Sequence, residues 1–230
     1  MKRLFIVLGM VISNLSLSGC QSTSTVDREF LRPLHEAKPG SILIVPVNNY
    51  SIDVLAPTSV LATLPFYLAE RGYYVFPVHT VKTILEGEGY YEAAEVHQAP
   101  PQRLAELFGA DTILYVTVNE WTAKYLILST QTQVEFSYRL VAANGTPLWE
   151  QELALAYSPQ QQNSTGNPLA DLIASAITAA VERASPNYLP LTREANSRVF
   201  FNRTRGIPPG PYSPAYQQYY SKLEAPTTQE

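Results

Sequence analysis

The spacing of apolar positions changes character along this chain, and each change marks out an element. Ser41-Ile42-Leu43-Ile44-Val45-Pro46-Val47 is an unbroken, β-branched apolar run, the pattern of a strand covered on both faces. Segments 73–78 and 112–118 repeat it and predict two further buried strands. Helical segments fall between them. Pro57-Thr58-Ser59 opens a helix that runs to Glu70, with Pro65 inside it expected to kink or split it, and Gly72 closing it. A short helix over 79–86 stops at Gly87-Glu88-Gly89, and a loop leads to Pro100-Pro101. Another helix, 102–108, runs from there to Gly109. Three strand–helix alternations predict a partly parallel sheet.

The period then shortens to two. Thr132, Val134, Phe136, Tyr138 and Leu140 alternate with Gln133, Glu135, Ser137 and Arg139, which predicts an antiparallel strand over 131–141 with one wet face. Asn144-Gly145 predicts a two-residue hairpin turn, with 148–155 as the returning partner. Segment 121–129 is expected to pair on the other side, making a three-strand meander with 112–118. The exposed strand at 131–141 is a candidate edge for pairing with a second copy. Asn167-Pro168 caps a predicted helix that lays Leu169, Leu172, Ile173, Ala176, Ile177 and Ala180 along one face. The fold class is therefore α/β over 41–185: a mixed sheet, parallel in its first half and antiparallel in its second, with helices packed on it.

Both ends differ from this body. Residues 20–40 begin Gln-Ser-Thr-Ser-Thr after Cys20 and carry Pro33 and Pro39, so they read as a tether. Residues 186–230 form an irregular tail rich in Pro, Tyr and Arg, with Gly206-Ile207-Pro208-Pro209-Gly210-Pro211-Tyr212 excluded from regular structure. Its many aromatics favour packing on its own domain or on a partner over floating free.

Cys20 is the sole cysteine, and its position decides the compartment. Lys2 and Arg3 precede an apolar stretch too short to span a bilayer, and Leu17-Ser18-Gly19-Cys20 closes it. Residues 1–19 thus resemble a bacterial lipoprotein signal peptide, and Cys20 becomes the acylated first residue. Removing Lys2 and Arg3 moves the formal charge from −4 to about −6. An acidic, exported chain is a poor nucleic-acid binder. With Cys20 committed to acylation, no intramolecular disulfide, thiolate nucleophile or cysteine metal ligand remains.

Candidate chemistry is sparse. The three histidines, His35, His79 and His97, lie in no metal-ligating pattern and read as surface or loop residues. No nucleophile elbow, dinucleotide fingerprint or phosphate loop is present, and no cofactor is implied. Asp53, Asp111, Glu120 and Glu150 sit near strand ends. Asp111, after Gly-Ala, reads as a turn cap rather than a catalytic acid. Arg193, Arg198, Arg203 and Arg205 interleave with Phe200, Phe201 and Asn202, a pattern that suits an acidic partner surface, anionic lipid headgroups or a merely solvated stretch equally.

The segments Leu68-Ala69-Glu70-Arg71-Gly72-Tyr73-Tyr74-Val75-Phe76-Pro77-Val78, Gly109-Ala110-Asp111-Thr112-Ile113-Leu114-Tyr115-Val116 running on to Trp121, Leu148-Trp149-Glu150 and the tail motif at 206–212 resemble a family of Gram-negative lipoproteins. That family has no assigned activity and includes a neisserial surface antigen considered as a vaccine candidate. The resemblance implies a domain similar to the TolB amino-terminal domain and to CsgG-type lipoproteins, a CsgG-like lipoprotein partner, and dimerisation. It brings no catalytic residue. Gln21 after the cysteine resembles the outer-membrane rather than the inner-membrane class.

These readings predict a non-enzymatic outer-membrane lipoprotein, facing the periplasm or the cell surface, that serves an envelope assembly or secretion-type complex. Its partner surface would include Arg198, Phe200, Phe201 and Tyr212. The alternative is a binding module for a glycan or lipid fragment, with Tyr50, Asp53 and Trp121 lining a cleft at the carboxyl ends of strands 42–47 and 112–118. A hydrolase ranks behind both.

Overall fold

The computed structural model describes residues 26–126, 129–157 and 189–224. In chain order the elements are α1 (Arg28–Ala37), β1 (Ser41–Ile44), β2 (Asn48–Asn49), α2 (Ala56–Glu70), β3 (Tyr74–Val75), α3 (Val78–Gly87), α4 (Ala93–Gln98), α5 (Pro101–Phe108), β4 (Thr112–Leu126), β5 (Ser129–Ala142), β6 (Pro147–Tyr157), α6 (Leu189–Phe200) and α7 (Tyr216–Glu224). The expectations for 1–25 and for a helix over 169–180 lie outside the described residues.

One mixed sheet organises the chain, in the order β3-β1-β4-β5-β6, with β2 also paired to β4. Strands β3, β1 and β4 run parallel, and β4, β5 and β6 antiparallel, which is the predicted parallel first half and antiparallel second half. Each face buries its own cluster. On one, Leu114, Val116, Phe136, Tyr138 and Trp149 pack with Val60 and Leu64 of α2 and with Ala195 and Phe200 of α6. On the other, Leu43, Ile113, Tyr115 and Val141 pack with Val81 and Leu85 of α3, Val96 of α4 and Leu104 of α5. This two-sided cover is why Ile42 to Val45 read as continuous apolar sequence.

The structure revises several boundaries. Residues 121–126 do not form a separate strand on the other side; they continue β4 and pair with β5. A bulge between Val118 and Glu120 shifts the alternation by one residue, so Trp121 lands on the same buried face as Val118. Strand 131–141 is not an edge: β5 lies between β4 and β6, and β6 and β3 are the outer strands among the described residues. Segment 73–78 contributes only the two-residue β3, with Tyr74 exposed, because one side of that strand has no neighbour. The Asn144-Gly145 turn does reverse the chain, but β5 ends at Ala142 and β6 begins at Pro147, leaving a longer loop with Gly145 at φ 86°.

Pro65 does not split α2, which runs unbroken from Ala56 to Glu70; Val60, Leu64, Tyr67 and Leu68 are buried on both sides of it. Packing around the proline outweighs the missing backbone donor. Segment 28–37, expected as part of the tether, is the helix α1. Asp27 caps it by accepting from the Phe30 N–H at 3.1 Å, and Leu31 and Leu34 are buried.

The segment expected as an irregular tail is partly helical, as α6 and α7, and belongs to the core, because α6 buries Leu191, Ala195, Val199 and Phe200 on the sheet. Phe200 is fully buried and stacks on Trp149, with ring centroids 5.7 Å apart, and meets Tyr138 edge-on at 5.5 Å. Residues 206–210 are buried without regular structure, and side chains donate to two carbonyls of the stretch, those of Arg205 and Pro208. Trp149 Nε1 donates to the Arg205 carbonyl at 2.7 Å, and the Tyr73 hydroxyl to that of Pro208 at 3.0 Å.

Candidate functional site

The carboxyl ends of the parallel strands carry the features that packing does not explain. β2 is tied to β4 (Asn48 opposite Thr117), and the Tyr50 N–H donates to the Val118 carbonyl at 2.9 Å. The loop 50–55 follows, running into α2. Asn49 organises it. Its Oδ1 accepts from the Ser51 N–H at 3.1 Å and the Ser51 hydroxyl at 2.8 Å, while its Nδ2 donates to the Asp53 carbonyl at 3.0 Å. Asp53 Oδ1 then accepts from the Leu55 N–H at 2.8 Å. The backbone is thus held in a fixed shape by short polar side chains.

What that shape presents is apolar. Tyr50, Ile52, Val54 and Leu55 are 72, 95, 84 and 67 % exposed. Scattered exposed apolar residues need no explanation, but four within six positions of one ordered loop concentrate apolar surface there, a mark of an interaction surface. Tyr91 is also exposed and lines the neighbouring cavity of about 670 Å³ together with Pro46, Pro57, Leu61, His79 and Lys82.

A second, more polar cavity of about 570 Å³ lies along β5 and β6, with His97, Tyr115, Ser137, Arg139 and Glu150 in its walls. The Arg139 guanidinium lies 4.7 Å above the Tyr115 ring, and the buried Tyr115 hydroxyl has no hydrogen-bond partner among the described residues. Burial raises the Tyr115 pKa, with Arg139 opposing it. Burial lowers that of His97, against a hydrogen bond at 3.0 Å to the Pro46 carbonyl, which raises it. Among the described residues no three His, Cys, Asp or Glu side chains converge as a metal site would require.

A family model described as "Putative lipoprotein GNA1162-like" matches residues 31–212. The chain belongs to this lipoprotein family. A relative from Neisseria meningitidis serogroup B, described as "Putative lipoprotein NMB1124/NMB1162", is 38 % identical over 160 residues, spanning 69 % of this chain and 74 % of the relative. The crystal structure of lipoprotein GNA1162 from Neisseria meningitidis is similar at TM-score 0.52 and 34 % identity, over 63 % of this chain and 99 % of that one. The LpoB carboxy-terminal domain of Salmonella enterica is a weaker likeness, with TM-score 0.38 and 19 % identity over 56 % of this chain and 95 % of that domain; it carries no functional argument.

On this GNA1162-like frame the expected site residues separate. Tyr50 and Asp53 share the ordered loop, Asp53 as a loop brace. Trp121 is buried in the core on β4, and none of the three lines the cavity at the strand ends. Of the expected partner surface, Phe200 is core. Arg198 is exposed and paired with Glu194 at 2.7 Å, Phe201 is half-exposed under the Arg71 guanidinium at 4.7 Å, and Tyr212 is exposed. Asp111 is a brace: its Oδ2 accepts from the Gly40 and Ser41 N–H groups at 2.9 Å and the Ser41 hydroxyl at 3.0 Å, fixing the start of β1. His35 is buried, not a surface residue, and hydrogen-bonds the Tyr219 hydroxyl at 2.9 Å. Cys20 lies outside the described residues. In sequence, Asn48 to Asp53 read as a polar loop because Asn48, Asn49, Ser51 and Asp53 dominate it; the structure turns those polar side chains to bracing the backbone and leaves Tyr50, Ile52, Val54 and Leu55 exposed.

Proposed function

We propose that this protein is an outer-membrane lipoprotein, anchored through acyl chains on Cys20, that acts without catalysis as a subunit or accessory factor of an envelope assembly. The observation that carries the docking role is the hydrogen-bond-braced loop 50–55 with its four exposed apolar side chains. A rigid apolar surface binds a protein partner without the ordering cost a floppy loop would incur. A second envelope lipoprotein of CsgG type, or another copy of this chain, fits such a surface. Membership of a lipoprotein family supports the anchor.

The test is recovery of partners from native membranes after gentle solubilisation. The wild-type lipoprotein should bring down another envelope protein, and I52D combined with V54D should lose it while the fold is kept. Recovery of this chain alone, or partner recovery indifferent to the two substitutions, counts against the proposal.

The cavity of about 670 Å³ at the strand ends favours a second reading, a binding module for a glycan or lipid fragment. Ala62→Trp would fill that cavity from the exposed side of α2 and leave loop 50–55 intact. Lost partner recovery in the loop variant alone supports assembly; a defect confined to Ala62→Trp supports the small ligand.

A further inference from the structure

The point at which the chain enters the fold restricts how the domain meets a membrane, given the Cys20 anchor proposed above. Five residues lie between Cys20 and Val26, so the six steps from one to the other reach at most about 22 Å when fully extended. Val26 packs against the core, and Asp27 is held on the far side of that reach by three bonds. Its N–H donates to the Thr204 carbonyl at 2.9 Å, its Oδ2 meets Arg205 Nε at 2.9 Å, and its Oδ1 caps α1. Hydrogen bonds to Phe30 and then Arg205 lower the Asp27 pKa, so this clasp is ionised at neutral pH. The attachment point is therefore a fixed place on the surface formed by 26–28 and 201–205.

That place is cationic and aromatic in an otherwise acidic chain. Arg71, Arg203, Phe201, Tyr219 and Leu31 share a cavity of about 480 Å³ with Val26. Arg32, Arg198 and Arg205 are paired with Glu29, Glu194 and Asp27. Exposed Arg28 reaches only carbonyls, those of Leu223 and Lys222 at 3.4 Å, and exposed Arg203 has no ion pair among the described residues. Arg203 beside a half-exposed Phe201, with Arg28 in the neighbouring stretch 26–28, has the composition of an interfacial contact: cations for phosphate and a ring at headgroup depth. The apolar loop lies elsewhere. Arg71 follows the last turn of α2 and loop 50–55 precedes its first, so fifteen helical residues, about 22 Å, stand between them.

We propose that the surface of 26–28 and 201–203 lies against the anionic phospholipid headgroups of the membrane that holds the anchor, and that loop 50–55 is thereby held away from the bilayer, facing a partner. The short reach from Cys20, together with Arg28 and Arg203, which have no ion pair among the described residues, carries this orientation.

The test uses the full lipidated protein in vesicles containing phosphatidylglycerol. With Cys20 acylated, an introduced cysteine is the one free thiol, so E29C and I52C can each carry an environment-sensitive dye. Lipids bearing a headgroup-depth quencher should cause loss of emission at position 29 and none at 52. Replacing Arg28 and Arg203 together by Gln, raising the salt, or using neutral phosphatidylcholine should reduce that loss. Equal quenching at both positions, greater quenching at 52, or quenching at 29 indifferent to charge overturns the orientation. The mass of the purified protein is read first. Absence of lipid on Cys20 overturns both the orientation and the anchor, whereas lipidated protein lacking the quenching difference overturns the orientation alone.

Discussion

Tyr138, Asn196 and Thr63 form a buried polar chain linking β5, α6 and α2. The Tyr138 hydroxyl donates to Asn196 Oδ1 at 2.8 Å, Asn196 Nδ2 donates to Thr63 Oγ1 at 2.9 Å, and Thr63 donates to the Val60 carbonyl at 2.8 Å. Because every member is satisfied, removing one is costly. Asn196→Leu should lower stability by about 2–3 kcal/mol in urea unfolding, and adding Tyr138→Phe should recover part of the loss by deleting the orphaned hydroxyl. A double variant no better than the single would show that the hydroxyl is not the source. His35 gives a pH signature. Burial, then Arg28 and Lys38, lower its pKa below the ordinary histidine value, and burial does the same for His97. The neutral form is favoured in the fold, so the unfolded chain takes up more protons as pH falls, and stability should decline below about pH 6.5. The melting temperature should drop between about pH 7 and about pH 5, and His35→Gln should flatten the drop. An unchanged slope would place the titration elsewhere.

At the scale of elements, the tail segment is clasped to the end of α2. The Gly210 N–H donates to the Arg71 carbonyl at 2.7 Å and the Tyr212 N–H to that of Gly72 at 3.0 Å. A Cβ on Gly210 would lie 2.5 Å from the Gly72 carbonyl oxygen, whereas one on Gly87 would meet nothing within 4 Å. Gly210→Ala should therefore destabilise by on the order of 2 kcal/mol or more in thermal unfolding, and Gly87→Ala should not. Comparable effects at both sites would refute the clasp. Deleting everything from 189 onward removes Leu191, Ala195, Val199, Phe200 and Ile207 from one core face and should abolish cooperative unfolding. The elements most legible in the sequence were those whose burial is apolar and periodic, such as β1, the hairpin of β5 and β6, and α5. Helix α6 was illegible because Thr192 and Asn196 occupy its buried face, with Asn196 held there by hydrogen bonds rather than by an apolar stripe. Helix α4 begins with a capping box built from Glu92 and Glu95, which lacks the usual Ser or Thr.

Across the whole molecule, the sequence located the carboxyl ends of the parallel strands as the place to look, and misassigned Trp121 because the bulge at 118–120 cannot be read from alternation. Loop 50–55 needed the structure, since only tertiary packing shows that its apolar residues have no cover. The proposed anchor runs the other way: it is read from the residues around Cys20 and rests on sequence alone. Cys20→Ser should move the protein from the membrane to the soluble fraction with unchanged thermal unfolding. The most direct measurement is the intact mass of the protein purified from native membranes. The expected result is a chain beginning at Cys20 and carrying a diacylglyceryl group. An unacylated chain still bearing residues 1–19 would contradict the account.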